Sequence, residues 1–484
     1  MNLKNIITIS ALLFSPLAAI ADQLIILHTN DTHSQLDPDD KNEGGILRRK
    51  VLVDSIRDKE PNVLLVDCGD AVQGTLYYTL YKGEAERVMM NNLGYDIQIL
   101  GNHEFDNGLE SLANDWSQLN AEKLSSNYDV SGTVLEGILK PYSIHDFGGK
   151  KIGFIAINLD PKGMIADANA TGIRYLDGIE AANSLAWYLK NIEHADMVIA
   201  LTHVGYDTEN PPTPSDLDIA RNSKEIDIII GGHSHTTVDP DAGNALAWKV
   251  SNMTGDTVVV AQTGSRGMNL GKITVDLPTL SSTYSLIKVD KRLDNRIDPE
   301  AAALLHRYRA GVDSLKSQKI GKSSVEFPAG SQILVNWVAD VMLEMGKELV
   351  DSPVDLSIVN KGGIRRGLPA GHITKETIMT MLPFDNKLVV MEIGGNDLKQ
   401  AFDVMARRGG DGLSKGFDIN AIDPDRTYTL VTIDYLANGG DYMEPLTKGK
   451  VIARSKARLD ETMIEHIERS KGKPIKYNDN SPRM

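Results

Sequence analysis

A chain of 484 residues with a formal net charge of −15 and a pI near 5.2 is poorly suited to track a phosphate backbone, so a nucleic-acid polymer is not an expected partner. Small phosphorylated molecules stay open, because metal ions and a few arginines can hold an anion locally against an unfavourable overall charge. The single cysteine, Cys68, excludes an intramolecular disulfide, and at this length an apolar core suffices without one.

In chain order, residues 1–21 read as an export signal. Lys4 supplies the positive start, Ile6 to Leu17 the apolar core, and Ala19-Ile20-Ala21 a small-residue cleavage site. The apolar stretch is too short to span a bilayer, no later run of about 20 apolar residues follows, and no cysteine accepts a lipid. The C-terminal KYNDNSPRM carries no hydrophobic tail for a glycolipid anchor. The expectation is a soluble, unanchored protein outside the cytoplasm, periplasmic first and secreted second, with no obligate protein partner.

From 22 to 295, apolar strands alternate with helical patterns such as ILRRKVLVDSIRDK (46–59) and IEAANSLAWYLKNIEH (179–194), the signature of a layered α/β domain. Asp298 as cap and Pro299 at the first helical position open a linker helix within 296–320. A smaller mixed α/β domain is expected over 321–484, with a helix at VNWVADVMLEMGKELV and strands at DLSIVN, LVVMEIG and TYTLVTIDYL.

Five apolar runs in the first domain each stop on metal-ligand types: LIILHTNDTH (24–33), VLLVDCGD (63–70), IQILGNHEFD (97–106), MVIALTHVG (197–205) and IDIIIGGHSH (226–235). In an open α/β sheet ligands gather at the carboxyl ends of the strands, so Asp31, His33, Asp70, Asn102, His203, His233 and His235 are expected at one point. Seven donors exceed one tetrahedral site and suit two ions: Asp31, His33 and His235 on the first, Asn102, His203 and His233 on the second, Asp70 bridging. Donors two residues apart, as in Asp-Thr-His and His-Ser-His, share a side where the backbone is extended. Taken singly, each is an ordinary turn or cap residue; the concurrence of five strand ends carries the reading. Zinc and manganese come first, then cobalt or magnesium. Cys68, in an apolar run, reads as core packing.

HTNDTH, VDCGD, GNHEFD, THVG and GGHSH resemble the calcineurin-like metallophosphoesterases, closest to the 5′-nucleotidase branch. In the second domain NKGGIR (360–365), LPFDN (382–386) and YLANGGDYM (435–443) resemble that branch's nucleotide-binding strings. The resemblance implies a four-layer βαβ sandwich domain joined by a helix to a nucleotide-binding domain. It implies a catalytic dyad of His103 and Asp106, a base stacked between Phe384 and Tyr435, Arg365 on phosphate, and Asn360 and Asp441 on base or ribose. Glu104 receives no assignment. The metals and the aromatic clamp lie in different domains, so domain motion is implied, with the helix near 298–317 as the hinge region.

The chain also departs from that branch. VEFPAGSQIL (325–334) lacks the phosphate-binding arginine common before the following helix, and Lys361 stands where glycine is usual; Lys361 or Arg366 is the expected substitute. The function implied is hydrolysis of nucleoside 5′-monophosphates in nucleotide catabolism by hydroxide held between two ions, extending to UDP-sugars or dinucleotides. The alternatives are a 2′,3′-cyclic-nucleotide 2′-phosphodiesterase/3′-nucleotidase, an inactive nucleotide-binding protein, and a sulfur-compound hydrolase on the same architecture, which the aromatic clamp disfavours.

Overall fold

The computed structural model describes residues 22–207, 213–243 and 246–484, so the export signal expected over 1–21 lies outside the described residues. In the first domain the apolar runs become strands whose alternate residues meet two different apolar layers. Along Gln23–Thr29, Leu24 and Ile26 face one layer and Ile25 and Leu27 the other, all fully buried. One six-stranded sheet runs Ser282–Lys288, Asn269–Asp276, Gln23–Thr29, Val63–Asp67, Ile97–Ile99, Glu122–Leu124, its last four strands parallel. The other runs Lys249–Ser251, Thr257–Ala261, Ile228–Ile230, Met197–His203, Lys150–Asn158, Tyr142–Phe147, its middle four parallel.

Leu24, Ile26, Leu64 and Val66 share one apolar layer with Phe154, Ile199 and Ile229, which joins the sheets face to face. Helices Ile46–Arg57, Glu84–Leu93 and Gly108–Trp116 cover the first sheet with Val53, Met89 and Trp116. Helix Gly178–Asn191 lies on the second, where Gly153 admits Leu189: a Cβ on the glycine would sit 3.0 Å from Leu189 Cδ1. The first domain is the expected four layers. All five motif-bearing strands end at one edge, which is what positions the site.

The second domain is a five-stranded sheet in the order Gly412–Leu413, Leu356–Val359, Thr427–Ile433, Lys387–Gly394, Lys450–Arg458. Helix Gln332–Lys347 packs on it so closely that a Cβ on Gly346 would lie 2.3 Å from Val431 Cγ2. This helix starts three residues earlier than its apolar pattern suggests, since Ser331 stands at its N-cap position. TYTLVTIDYL is strand only to Ile433; Asp434–Ala437 turn helical and carry Tyr435 out of the sheet.

The linker helix Pro299–Ser317 forms as expected, with the Asp298 side chain accepting from Glu300 N. It is anchored on the first domain: Tyr81 Oη donates to Tyr308 O at 2.8 Å, Tyr308 Oη to Glu84 at 2.8 Å, and Arg309 pairs with Asp37. Its other face meets Lys375–Met381 of the second domain.

Glu86, on helix Glu84–Leu93, is 2% exposed, with the Ser34 hydroxyl near its carboxylate but not aligned for a good hydrogen bond. Burial pushes its carboxyl up to about 7. A group raised in the fold favours the folded state fully below the unfolded pKa, and that contribution fades as pH climbs toward 7. Glu86→Gln is therefore expected to change Tm little at pH 4.5 and to raise it above wild type at pH 8, by the equivalent of on the order of 3 kcal/mol. Thermal denaturation at the two pH values checks this, and an equal shift at both would refute it.

Candidate functional site

The strands stop and the chain turns sharply. Asp31, His33, Asp70, His233 and His235 all have positive φ, between 45° and 79°. The extended backbone expected for the Asp-Thr-His and His-Ser-His pairs is therefore not what forms. Left-handed turns just past the strand ends bring the donors together, and each such non-glycine residue costs on the order of 1 kcal/mol.

Three interactions hold those turns. The Glu104 carboxylate accepts from Asp70 N at 3.0 Å, Ala71 N at 2.9 Å and Gly101 N at 2.6 Å, tying the ends of two strands together. Asn30 donates to Asp31 Oδ2 at 2.6 Å and to Gly264 O at 2.7 Å, while its Oδ1 accepts from Thr263 N. Gly101 has no side chain because Asp70 fills the place: a Cβ would fall 2.2 Å from Asp70 Oδ1.

The geometry gathers all seven expected ligands. Asp31, His33 and His235 have donor atoms within 4.8 Å of one another, and so do Asp70, His203 and His233. Asn102 Oδ1 is 3.1 Å from His233 Nδ1, which joins it to the second group. Asp70 Oδ2 stands 3.3 Å from His203 Nε2 and 3.9 Å from His33 Nε2, between the two groups. His33 Nε2 and His235 Nε2 are 2.9 Å apart, with Asp31 Oδ1 at 4.0 and 3.5 Å.

The donors suit divalent cations by three observations. First, His33 Nδ1 faces Gln73 O at 3.2 Å and His203 Nδ1 faces Cys68 O at 2.7 Å, so a neutral ring donating there offers its Nε2 lone pair. Second, buried His203 Nε2 has no aligned hydrogen-bond partner. Third, burial holds the His33 imidazole well below its ordinary range and lowers His233 to about 3 and His235 to about 4, keeping them neutral, the form that ligates. Burial pushes the Asp31 carboxyl up, so its anion is unfavourable without a cation. Burial also opposes charge on Asp70 and His203, but their mutual attraction outweighs it, holding Asp70 low and His203 high.

His103 and Asp106 lie beside this cluster. His103 Nδ1 is 3.0 Å from Asp106 Oδ2, and Arg365 Nη2 donates to His103 Nε2 at 3.0 Å, which makes Nδ1 the protonated nitrogen. His103 Nε2 lies 4.0 Å from Asp70 Oδ2. Burial lowers this imidazole, but Asp106 and Asp70 more than reverse that and raise it above the ordinary value.

A cavity of about 490 Å³ opens from these groups into the cleft between domains. It is lined by His103, Asp106, Asn360, Arg365, Phe384, Tyr435 and Asp441, so the expected substrate residues of the second domain share one space with the metal cluster. Phe384 rests near both His103 (ring centroids 5.9 Å apart) and the Arg365 guanidinium (5.3 Å). Tyr435 Oη donates to Asp441 Oδ1 at 3.0 Å, and Asn360 Nδ2 donates to Asp441 Oδ2 at 2.7 Å. Asn360 Oδ1 is buried without a partner at the cavity wall.

Lys361 and Arg366, expected to supply the missing positive charge, do not line this cavity. Lys361 Nζ donates to Gly409 O at 3.4 Å, and Arg366 turns to Gln35 and Asp40. Both are drawn away by acceptors that no local motif announces. Sequence reasoning also missed the wall formed by Met164, Ile165 and Asn169, and Arg408, whose Nη2 donates to Asp441 Oδ2 at 2.6 Å. The fully buried Cys68 donates Sγ–H to Ile230 O at 3.1 Å, and burial pushes its thiol up, in keeping with core packing.

Replacing Glu104 by Ala would leave three backbone N–H groups unpaired, each costing about 1 to 3 kcal/mol. The expected outcome is a 10- to 100-fold loss of metal affinity with the seven ligands untouched. Metal titration of Glu104→Ala against wild type measures it, and equal affinity would show that the turns stand without this carboxylate.

Residues 24–237 match the calcineurin-like phosphoesterase model and 316–414 the 5′-nucleotidase C-terminal domain model. The chain is 30% identical to the 5′-nucleotidase of Bos taurus, over 92% of this chain and 84% of that one. It is 28% identical to the trifunctional nucleotide phosphoesterase protein YfkN of Bacillus subtilis over 86% of this chain, and spans only 32% of that longer protein. The crystal structure of a 5′-nucleotidase precursor from Thermus thermophilus superposes with a TM-score of 0.80 at 26% identity, over 94% of this chain and 98% of that one. The chain belongs to the 5′-nucleotidase family of calcineurin-like metallophosphoesterases and is a metal-dependent phosphoester hydrolase.

Proposed function

We propose that this protein removes phosphate from nucleoside 5′-monophosphates, using two divalent ions held as described, with zinc and manganese first and cobalt or magnesium next. The observation that supports this most is a single cavity between the domains, with the His103–Asp106 pair and the metal-ligand cluster at one end and Phe384, Tyr435, Asn360 and Asp441 along its walls. Two ions in that donor set would activate water and shield the charge developing on phosphorus.

The chain's own residues have distinct tasks in this reading. Arg365 binds phosphate oxygen, for which its guanidinium fork is suited. His103, charged with the help of Asp106, stabilises the phosphoryl oxygens or protonates the leaving alkoxide. Phe384 and Tyr435 sandwich the base, worth roughly 1 to 3 kcal/mol per stacking face. Asn360 and Asp441 hydrogen-bond base or ribose. The domains divide at 22–295 and 321–484 with 296–320 between them, and residues 1–21 direct export to the periplasm or medium. Among the described residues no helix is long and apolar enough to cross a membrane.

The direct test follows the primary products formed from AMP, UDP-glucose, NAD and 2′,3′-cyclic AMP with added zinc or manganese, beside Asp70→Ala and a chelator. Phosphate release from AMP that is lost in both controls is expected. Primary cleavage of the cyclic substrate alone would replace this reading with the phosphodiesterase, and bound but uncleaved nucleotide would make the protein a silent binder.

Turnover in this reading requires the cleft to open. Asp441 N donates to Gly163 O at 2.9 Å across it, and a Cβ on Gly163 would fall 2.6 Å from the Tyr442 ring. A Gly163→Cys, Tyr442→Cys pair removes that ring and puts one thiol on each side of this contact. Oxidation is expected to reduce turnover at least tenfold and reduction to restore it; full activity in the oxidised protein would refute a needed motion.

A further inference from the structure

The helix Gly395–Arg407 ends in the turn Arg408-Gly409-Gly410-Asp411, which belongs to none of the strings that pointed to the nucleotide. Gly409 and Gly410 have φ of 86° and 84°, a left-handed pair that glycine adopts without strain, and this reversal brings the side chains at the two ends of the turn together. Arg408 Nη1 donates to Asp411 Oδ2 at 3.3 Å. From there the pair reaches both substrate strings of the second domain. Asp411 Oδ1 accepts from Lys361 N at 2.9 Å, at the start of NKGGIR, and Arg408 donates twice to Asp441, Nη2 to Oδ2 at 2.6 Å and Nη1 to the backbone O at 3.3 Å. Asn360 Nδ2 closes the ring on Asp441 Oδ2 at 2.7 Å, across 81 positions of sequence.

The ring needs this turn for three reasons. Asp441 and Tyr442 have φ of 56° and 62°, so their backbone is strained and keeps its shape only where bonds from outside fix it. Asp411 is 5% exposed; burial pushes its carboxyl up, and the Arg408 guanidinium is the foremost group that offsets this, while the Asp441 charge adds to it. Lys361, the lysine in place of the usual glycine, donates Nζ to Gly409 O at 3.4 Å and so grips the same turn. Beyond Asp411 the chain is held independently. Gly412 and Leu413 pair with Val359 and Ile358, Ser414 N donates to Ser357 O at 3.0 Å, and Arg483 Nη1 donates to Leu413 O at 2.7 Å. Asn360 and Asp441 line the large cavity, and Arg408 and Asp411 do not.

We propose that Arg408 and Asp411 are positioning residues for the nucleoside end of the substrate, a clip that holds Asn360 and Asp441 at a fixed separation on the cavity wall. Both act through those two residues and touch no substrate. The guanidinium fork suits the task, because its separate N–H groups serve Asp411, Asp441 Oδ2 and Asp441 O from one rigid plane, which a lysine ammonium on a flexible stem does not reproduce. With the strained turn pinned, the Asp441 carboxylate and the unpartnered Asn360 Oδ1 are in place before a nucleoside arrives, and less ordering is left for binding to supply. The clip therefore acts on affinity, and the metal cluster on the first domain is left alone. This inference rests on the nucleotidase reading above and adds to it the residues that stand behind its cavity wall.

The test compares hydrolysis of AMP with that of p-nitrophenyl phosphate, which has neither ribose nor base, in wild type, Arg408→Ala, Arg408→Lys, Asp411→Ala and Asp411→Asn. In the two alanine variants KM for AMP is expected to rise about tenfold or more, the equivalent of one lost charge-assisted bond, with kcat changed less than about threefold. Turnover of p-nitrophenyl phosphate should stay within about threefold, which reports an intact fold and metal cluster. Asparagine keeps the oxygen that accepts from Lys361 N, so Asp411→Asn should recover part of the loss, whereas Arg408→Lys, which keeps charge without the fork, should stay impaired. Calorimetric affinity for adenosine, which needs no cleavage, should weaken in step with KM. Unchanged KM and adenosine affinity in both alanine variants would overturn the proposal, and so would equal losses on both phosphate esters, the mark of a general structural role. A wild type that cleaves p-nitrophenyl phosphate and binds adenosine but leaves AMP intact would fail the nucleotidase reading alone, and adenosine affinity in the variants would then decide the clip.

Discussion

One carboxylate, Asp70, organises the site. It is 2% exposed, accepts from His103 N at 2.9 Å, and lies within 4.0 Å of the Nε2 atoms of His33, His103 and His203. A buried carboxylate is stable only where positive charge or many donors face it. Everything nearby serves that need. Glu104 fixes the turn that carries Asp70, and Gly101 yields the space its oxygen fills. The strain of left-handed backbone at five donors is borne by the two sheets behind them. The family's divalent cations complete this balance, since they convert a costly arrangement of buried acids and neutral imidazoles into a bonded one.

The second constraint is that the cavity beside the cluster is lined from both domains. The metal-ligand types lie on turns of the first domain, and Asn360, Arg365, Phe384, Tyr435 and Asp441, which line the same cavity, lie on the second. Their meeting depends on a few contacts across the cleft: Arg365 on His103, Asp441 on Gly163, and Lys82 with Asp385 at 2.6 Å. These polar contacts add to apolar packing of the helix Lys375–Met381 on the linker helix and on the helix Leu76–Tyr81. The linker helix is bound to the first domain by Tyr308 and Arg309.

The strand ends were legible in the sequence because periodic apolar runs and polar donors obey short-range rules. The layers followed from alternation, as in Leu24 to Leu27, and the linker helix from Asp298 and Pro299. The turn geometry was not legible, because the positive-φ turns at Asp31, Asp70 and His233 are held by partners far along the chain: Asn30 is tied to Gly264 and Thr263, Glu104 accepts from Asp70 N, and His233 N donates to Asp31. The same limit explains Lys361 and Arg366. Proximity in sequence to NKGGIR suggested the phosphate, but their side chains follow acceptors at Gly409, Gln35 and Asp40, which only the fold brings near. Glu104 stood inside a recognised motif, yet its role depends on three N–H groups that belong to two different strand ends.

Arg365 links these constraints. Its Nη2 donates to His103 Nε2, the nitrogen a leaving alkoxide or phosphoryl oxygen would need. A guanidinium there also weighs against charge on that imidazole. In the proposed reaction an arriving phosphate offers Arg365 a stronger acceptor than a neutral ring, since charge-assisted bonds to phosphate are roughly twice as strong. Moving to the phosphate frees His103 Nε2 and removes a cation from its hydrogen-bond reach, while Asp106 remains to favour its protonation. Substrate binding would thereby prepare the imidazole through the same residue that holds the substrate, without a further conformational signal.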